Sequence, residues 1–362
     1  FPDPPGGLQE AIKQICVSTS KFGVKQSVFT LSPNPSPKVV EMPEALVVRA
    51  RSWLAPASCD IGGFDSISTF SDLVEQASLV QYHFPWPFAD LLHTIVKPKI
   101  PAISIYHSDI VRQKMLSSFY APLMWKMLRS MDLIVTTSPI YAETSPVLNH
   151  SSLKNRVRVI PLGMDEESYH FDQDESVFNR IKVNKNSPYL LFLGVLRYYK
   201  GVHTLINAAK NVDAKIVVAG SGQMLNDLKK QVIELGLTNV FFAGQVTQAE
   251  KVALLKNCRA FVLPSHLRSE AFGMVLVEAA MFGKPMITCE IGTGTSYVNL
   301  NEVTGFVVPP ESPSHLANAM QMMVKDESLA KIMGLAARQR YQALFSGDVL
   351  GQAYHRLYKE LL

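Results

Sequence analysis

The chain has 362 residues, 47% of them hydrophobic and 18% charged, with a formal net charge of +4. That length exceeds one ordinary core and fits two domains; the composition excludes a disordered chain; and so mild a charge, with no Lys/Arg tail, gives no case for nucleic acid. No apolar run reaches the ~18 residues that span a bilayer, and Cys16, Cys59, Cys258 and Cys289, without metal-type spacing, read as thiols of a reducing, cytosolic compartment.

The chain opens on the loop Phe1-Pro2-Asp3-Pro4-Pro5-Gly6-Gly7, followed by a helix from about Leu8 to Lys21. A doubly wound domain needs a strand before that loop, so a first strand is expected to precede Phe1 in the complete protein. No signal-peptide pattern is present. Gly6 and Gly7 suit a backbone lying close to phosphate or sugar, and equally a tight turn. Strands are then expected at Val28–Leu31, Leu46–Arg49, Leu79–Tyr82, Ala102–His107, Leu133–Thr137 and Val157–Pro161, with a proline-rich loop at Ser32–Pro37. His107 closes an apolar strand, where an imidazole can serve a sugar hydroxyl or a carbonyl, or simply be packed and bonded.

Charge is uneven in this half. From Glu41 to Val96 seven acidic residues face Arg49 and Arg51, whereas from Lys97 to Met131 six basic residues face Asp109 alone. Within Ile110–Met131, Arg112, Lys114, Lys126 and Arg129 stand among Met115, Leu116, Phe119, Tyr120, Leu123 and Trp125. That mixture suits a segment lying on anionic lipid, or an amphipathic helix packed on the sheet. Near Pro161–Asp165 the pattern passes to a second domain. Asp172-Gln173-Asp174 lies in a polar segment after this linker and reads as a solvated loop, not a metal-binding acid pair.

The second half alternates regularly. Apolar runs at Tyr189–Gly194, Lys215–Gly220, Val240–Gly244, Ala260–Pro264 and Pro285–Cys289 are separated by helical patterns at Val202–Lys210, Met224–Leu235, Gln248–Asn257 and Met274–Phe282. This predicts βαβ units and a parallel sheet, whose ligands belong beyond the carboxyl ends of the strands. Gly194-Val195-Leu196-Arg197-Tyr198-Tyr199-Lys200-Gly201 carries two cations just before a helix, an arrangement fit for a diphosphate. Ala219-Gly220-Ser221-Gly222 has Leu225 where a dinucleotide fingerprint needs its third glycine, which disfavours a nicotinamide enzyme.

The richest stretch is Ser269-Glu270-Ala271-Phe272-Gly273-Met274-Val275-Leu276-Val277-Glu278-Ala279. Glu278 is the only polar side chain from Met274 to Phe282, and a carboxylate in so apolar a helix is costly unless paired or hydrogen-bonded. The two glutamates stand at most ~12 Å apart at 1.5 Å per residue, about the reach of a sugar nucleotide across its diphosphate. The helix start between them attracts phosphate. The plainer alternative is a core glutamate paired with a lysine and a solvated loop charge. Glu290–Ser296 offers glycines and hydroxyls for a ligand, or a capped helix start. A last helix, Val349–Leu362, is placed to cross back onto the first domain.

Together these elements resemble the retaining glycosyltransferases of the GT-B fold. Gly283-Lys284-Pro285 after the glutamate motif strengthens the likeness, and His107–Lys114 with Cys289–Asn299 is similar to bacterial polysaccharide mannosyltransferases. The resemblance implies two doubly wound Rossmann-like domains facing a central cleft: an acceptor-side domain at 1–163, a nucleotide-sugar domain at 164–342, and a returning helix at 343–362. It implies transfer of mannose from GDP-mannose, with retention, to a lipid-linked oligosaccharide in O-antigen assembly. The location implied is peripheral, at the cytoplasmic face of the inner membrane. UDP-sugar donors, a sugar-nucleotide epimerase, a phosphorylase and a non-catalytic binding protein are the alternatives.

By the same resemblance His107, Glu270, Arg197 and Lys200 are catalytic. Glu270 takes the donor sugar, Glu278 the ribose, and Lys200 the diphosphate, while Arg197 stands in for an arginine that relatives carry where this chain has Val195. Gly6, Gly7, Gly194, Gly220, Val246, Ala271, Phe272, Gly273, Met274 and Val275 complete the donor-binding set. Cations and the helix start are expected to neutralise the leaving diphosphate, so no metal or other cofactor is expected.

Overall fold

The computed structural model describes residues 6–55, 59–110, 114–169 and 172–362, with the side chains of 114–119 and 169 outside that description. The chain forms two compact units, one of residues 1–165 with 347–362 and the other of 166–346. The crossings fall a few residues beyond the expected 163 and 342.

In the first unit, β1 (Ser27–Ser32) pairs in parallel with β3 (Leu46–Leu54), which also carries β2 (Val39–Glu41) and β4 (Ile61–Gly62) antiparallel. A separate sheet runs β5 (Val80–Phe84), β6 (Ala102–Tyr106), β7 (Leu133–Thr136) and β8 (Val157–Val159), all parallel. β6 and β7 are buried along their whole length, which is why they read as unbroken apolar runs. β2 and β4 are too short for any periodicity to reveal them.

The last helix, Gly347–Leu361, lies on the first, Gly7–Ser20. Contact is close: a Cβ on Gly351 would sit 2.2 Å from the Ser18 carbonyl oxygen. Leu350, Tyr354, Leu357 and Tyr358 share one core with Ile15, Ile103, Ile105, Leu133, Val135 and Ile160. Each such side chain contributes roughly 1.5–3 kcal/mol. The expected return of the chain to its first domain is therefore real.

The second unit is one six-stranded parallel sheet. Its order is β11 (Val240–Gly244), β10 (Lys215–Ala219), β9 (Tyr189–Leu193), β12 (Ala260–Leu263), β13 (Met286–Cys289), β14 (Gly305–Val308). Helices Val202–Ala209, Leu225–Glu234, Gln248–Asn257 and Met274–Met281 make the crossovers. Thr247 and Glu250 close a capping box at the third of these, which stops the chain cleanly between strand and helix. β14 and the helices Pro313–Lys325 and Glu327–Arg340 extend the unit beyond the alternation legible in the sequence.

Candidate functional site

The ends of β9 and β10 meet backbone to backbone. Gly194 has φ 153° and Gly220 φ 134°, and a Cβ on Gly220 would lie 2.0 Å from the Gly194 carbonyl oxygen. Only glycine fits so close an approach. Beyond it, Leu196 is fully buried and anchors the turn, its N–H donating to Ser221 O at 2.9 Å. Val195 and Arg197 on either side are exposed. A 3-10 turn, Tyr198–Lys200, then carries Lys200 inward.

Lys200 Nζ donates to Glu270 Oε2, both residues being buried. Ser265 Oγ donates to the same oxygen at 3.2 Å, so neither bond uses Oε1. Burial, the largest single effect, would pull the Lys200 ammonium down, but the charge and hydrogen bond of Glu270 together with Tyr199 outweigh it and hold the ammonium above its ordinary value. Arg197 opposes that effect through its own positive charge, so the two cations share one neighbourhood. The sequence reading gives Lys200 and Glu270 separate duties; in the structure they are one ion pair. Thr293 Oγ1 donates to the Glu270 carbonyl at 2.8 Å, so part of Glu290–Ser296 holds the glutamate loop in place.

Gly273, at φ 86°, caps the helix Met274–Met281 without a side-chain hydrogen bond. Its Cβ would lie 2.9 Å from Leu276 Cδ1. Phe272 and Met274 are buried, Ala271 and Val275 half-buried. Glu278, four residues on, accepts from Lys251 Nζ at 2.9 Å, both side chains being nearly inaccessible. Glu278 therefore has the lysine partner of the plainer alternative. Lys251 follows the capping box, and Val246, half-buried, precedes it. Neither Lys251 nor Ser265 carries a signal in the sequence, because each acts through a partner distant along the chain.

In the first unit, Gly6 caps the first helix in extended conformation at φ −173°. Any residue adopts that backbone, and a Cβ there would meet only the flexible end of Gln9, while one on Gly7 would meet nothing within 4 Å. The protein's own packing therefore does not demand glycine at these two positions. His107 sits in a relay that the sequence did not reveal. Tyr358 Oη donates to Gln81 Oε1 at 2.8 Å. Gln81 Nε2 lies 3.3 Å from His83 Nε2, and His83 Nδ1 lies 2.8 Å from His107 Nε2. An amide nitrogen only donates, so His83 Nε2 accepts and its proton sits on Nδ1, shared with His107 Nε2. His107 is left with its own proton on Nδ1. Burial pushes His107 down to about 4 and His83 well below its ordinary value, so both rings are neutral at pH 7.

Asp172 and Asp174 are exposed, with Asp174 Oδ1 accepting from Ser176 N at 2.9 Å, a solvated turn as expected. Arg112 lies outside the described residues, as do the side chains of Lys114, Met115, Leu116 and Phe119. Farther along that helix (Lys114–Ser130), Met124, Met127 and Leu128 are buried, while Lys126 and Arg129 are exposed. Its described apolar face thus packs inward. Although no metal was expected, His203, His266 and Glu311 bring one donor atom each to within 4.8 Å of one another.

Residues 173–340 match the family described as Glycosyl transferases group 1, and residues 5–168 match Glycosyltransferase Family 4. The D-rhamnosyltransferase WbpZ of Pseudomonas aeruginosa is 43% identical over 94% of this chain and 88% of its own. The O-antigen chain mannosyltransferase C of Escherichia coli is 35% identical over 100% of this chain and 96% of its own. Among solved structures, Anabaena HepE in complex with UDP-glucose superposes with a TM-score of 0.78 at 18% identity, covering 99% of this chain and 97% of that one. That likeness speaks for fold, and the fold is GT-B.

Proposed function

This chain belongs to the group 1 glycosyl transferases, and from that premise we propose that it is a retaining hexosyltransferase using a nucleoside-diphosphate sugar. The observation that carries the reading is the buried Lys200–Glu270 pair beside an uncapped helix start at the carboxyl ends of the sheet. A buried cation held charged is preorganised for a diphosphate. When the donor binds, Lys200 turns to the diphosphate and releases the Glu270 carboxylate to the hexose hydroxyls. Arg197 and the amides of Gly273–Val275 face the same phosphates.

The anomeric C–O bond then breaks, and its electron pair stays on the departing phosphate oxygen. The acceptor hydroxyl oxygen bonds to the anomeric carbon on the same face, and its proton passes to that phosphate. Arg197 and Lys200 stabilise the charge that develops. Adding manganese or magnesium should not raise the rate; a strict requirement for either would bring Asp172 and Asp174 into the site. His107, neutral and with its proton on Nδ1, donates to the hexose. Glu278 is assigned the ribose hydroxyls, in competition with Lys251.

One reading of the donor is GDP-mannose, supported by likeness to the mannosyltransferase along its whole length. The second is a UDP-hexose, supported by the ligand bound in the Anabaena fold neighbour. A lipid-linked saccharide is the proposed acceptor, met at the cytoplasmic face of a membrane. No described helix is long and apolar enough to cross one, but Trp53, Leu54 and Phe64 are exposed, Phe64 at 91%, and suit lipid contact. Calorimetric titration with GDP, UDP, ADP and dTDP tests the donor: tight binding of GDP alone selects the first reading, UDP alone the second, and neither overturns the assignment of the site.

A further inference from the structure

We propose that His203, His266 and Glu311 form a binding site for one divalent transition-metal ion of the zinc class, a brace for the loops that carry Lys200 and Glu270. The three residues come from separate places at one end of the sheet. His203 opens the helix after the Lys200 turn, His266 follows β12, and Glu311 follows β14 in left-handed backbone at φ 53°. None of them belongs to the donor site described above.

The observation that calls for a ligand is His266. It is only 7% exposed, yet neither ring nitrogen has a hydrogen-bond partner among the described residues. Buried polar groups are nearly always satisfied, so an imidazole so placed calls for a partner that the protein itself does not supply, an ion or a water. Its neighbours complete a donor set. The His203 and His266 rings stand 5.2 Å apart at 87°, an orientation that lets two nitrogens meet at one point. Tyr198 stacks on His203 at 5.2 Å and 4°, and meets His266 edge-on at 4.8 Å, fixing both ring planes.

Donors within 4.8 Å of one another need to draw in to about 3.4 Å around a tetrahedral ion with bonds near 2.0–2.1 Å. Glu311 is exposed and free to make that movement. Two imidazoles and one carboxylate favour zinc over magnesium or calcium and leave a fourth position for water.

Occupancy would reach the donor site through the backbone. His266 N–H donates to Tyr199 O at 3.0 Å, next to Lys200. Ser265, adjacent to His266, holds Glu270. An ion joining His203 to His266 would pin these two loops together.

The test uses the full chain loaded with Zn²⁺ alone and then desalted, alongside the His203→Asn/Glu311→Gln double variant matched by circular dichroism. The parent should retain one equivalent of zinc, and its Tm should rise by about 5 °C with saturating metal. The double variant should lose at least tenfold in affinity and show no such rise. Co²⁺ in the parent should give tetrahedral d–d bands without sulfur-to-metal charge transfer. Failure of the parent to bind, undiminished binding in the double variant, or a thiolate band assigning the metal to a cysteine would each overturn the proposal.

Discussion

Two residue pairs carry the proposed chemistry. Glu270→Ala leaves Lys200 buried and unpaired, a loss of about 3–5 kcal/mol, and should abolish transfer with a clear fall in Tm. Glu270→Gln keeps an acceptor for Lys200 and Ser265, so it should abolish transfer with a smaller fall. Nucleotide affinity should stay within a few fold in both. Equal Tm values for the two variants would refute the ion-pair account. At His107, His83→Leu removes the donor to Nε2 and releases the tautomer. It should lower kcat while leaving nucleotide affinity intact, and nitrogen NMR should show the His107 proton redistributed between its two nitrogens. An unchanged tautomer would mean that His83 does not position it. Glu270, Lys200 and His107 could be singled out because each stands between a strand and the next helix in a recognisable pattern. Ser265, Lys251, Gln81 and His83 were not, since their roles arise only from partners brought near by folding.

Between elements, Asp90 on the helix Pro87–Val96 accepts from Tyr120 on the helix Lys114–Ser130. Burial raises its carboxyl from an ordinary 3.8 to about 7, against the opposing pull of the Tyr120 hydrogen bond. The folded state thus keeps a proton that the unfolded chain releases near pH 4. The resulting stability is fully present below that pH and disappears as pH rises through about 7. Denaturant midpoints should fall across this window, and Asp90→Asn should flatten that fall; an unaltered slope would exclude Asp90 as its source. On the exposed side of the second helix, Lys126→Glu with Arg129→Glu should reduce pelleting with anionic vesicles while sparing nucleotide binding. Pelleting at the parent's level would exclude this helix and point to Trp53, Leu54 and Phe64. Such faces show why element type was more legible than element surroundings: apolar spacing announces a helix but not which of its residues remain outside.

At the scale of the whole molecule, the regular alternation after residue 189 made the second unit plain, because each crossover repeats one strand and one helix. The first unit was harder to read, since its strands lie in two sheets and three of them are three residues or shorter. Its core also borrows Leu350, Tyr354, Leu357 and Tyr358 from the far end of the chain. That borrowing has a consequence during synthesis. A ribosome delivers the second unit whole before the first can close, so the usual order in which N-terminal domains fold first should be reversed here. Until the final helix emerges, the apolar faces of Ile15, Ile103 and Val135 await their cover, and Gln81, which orients His83, lacks the tyrosine that orients it. On the proposed function, the nascent chain would acquire its nucleotide unit first and the setting of His107 last, holding a donor before it could use one.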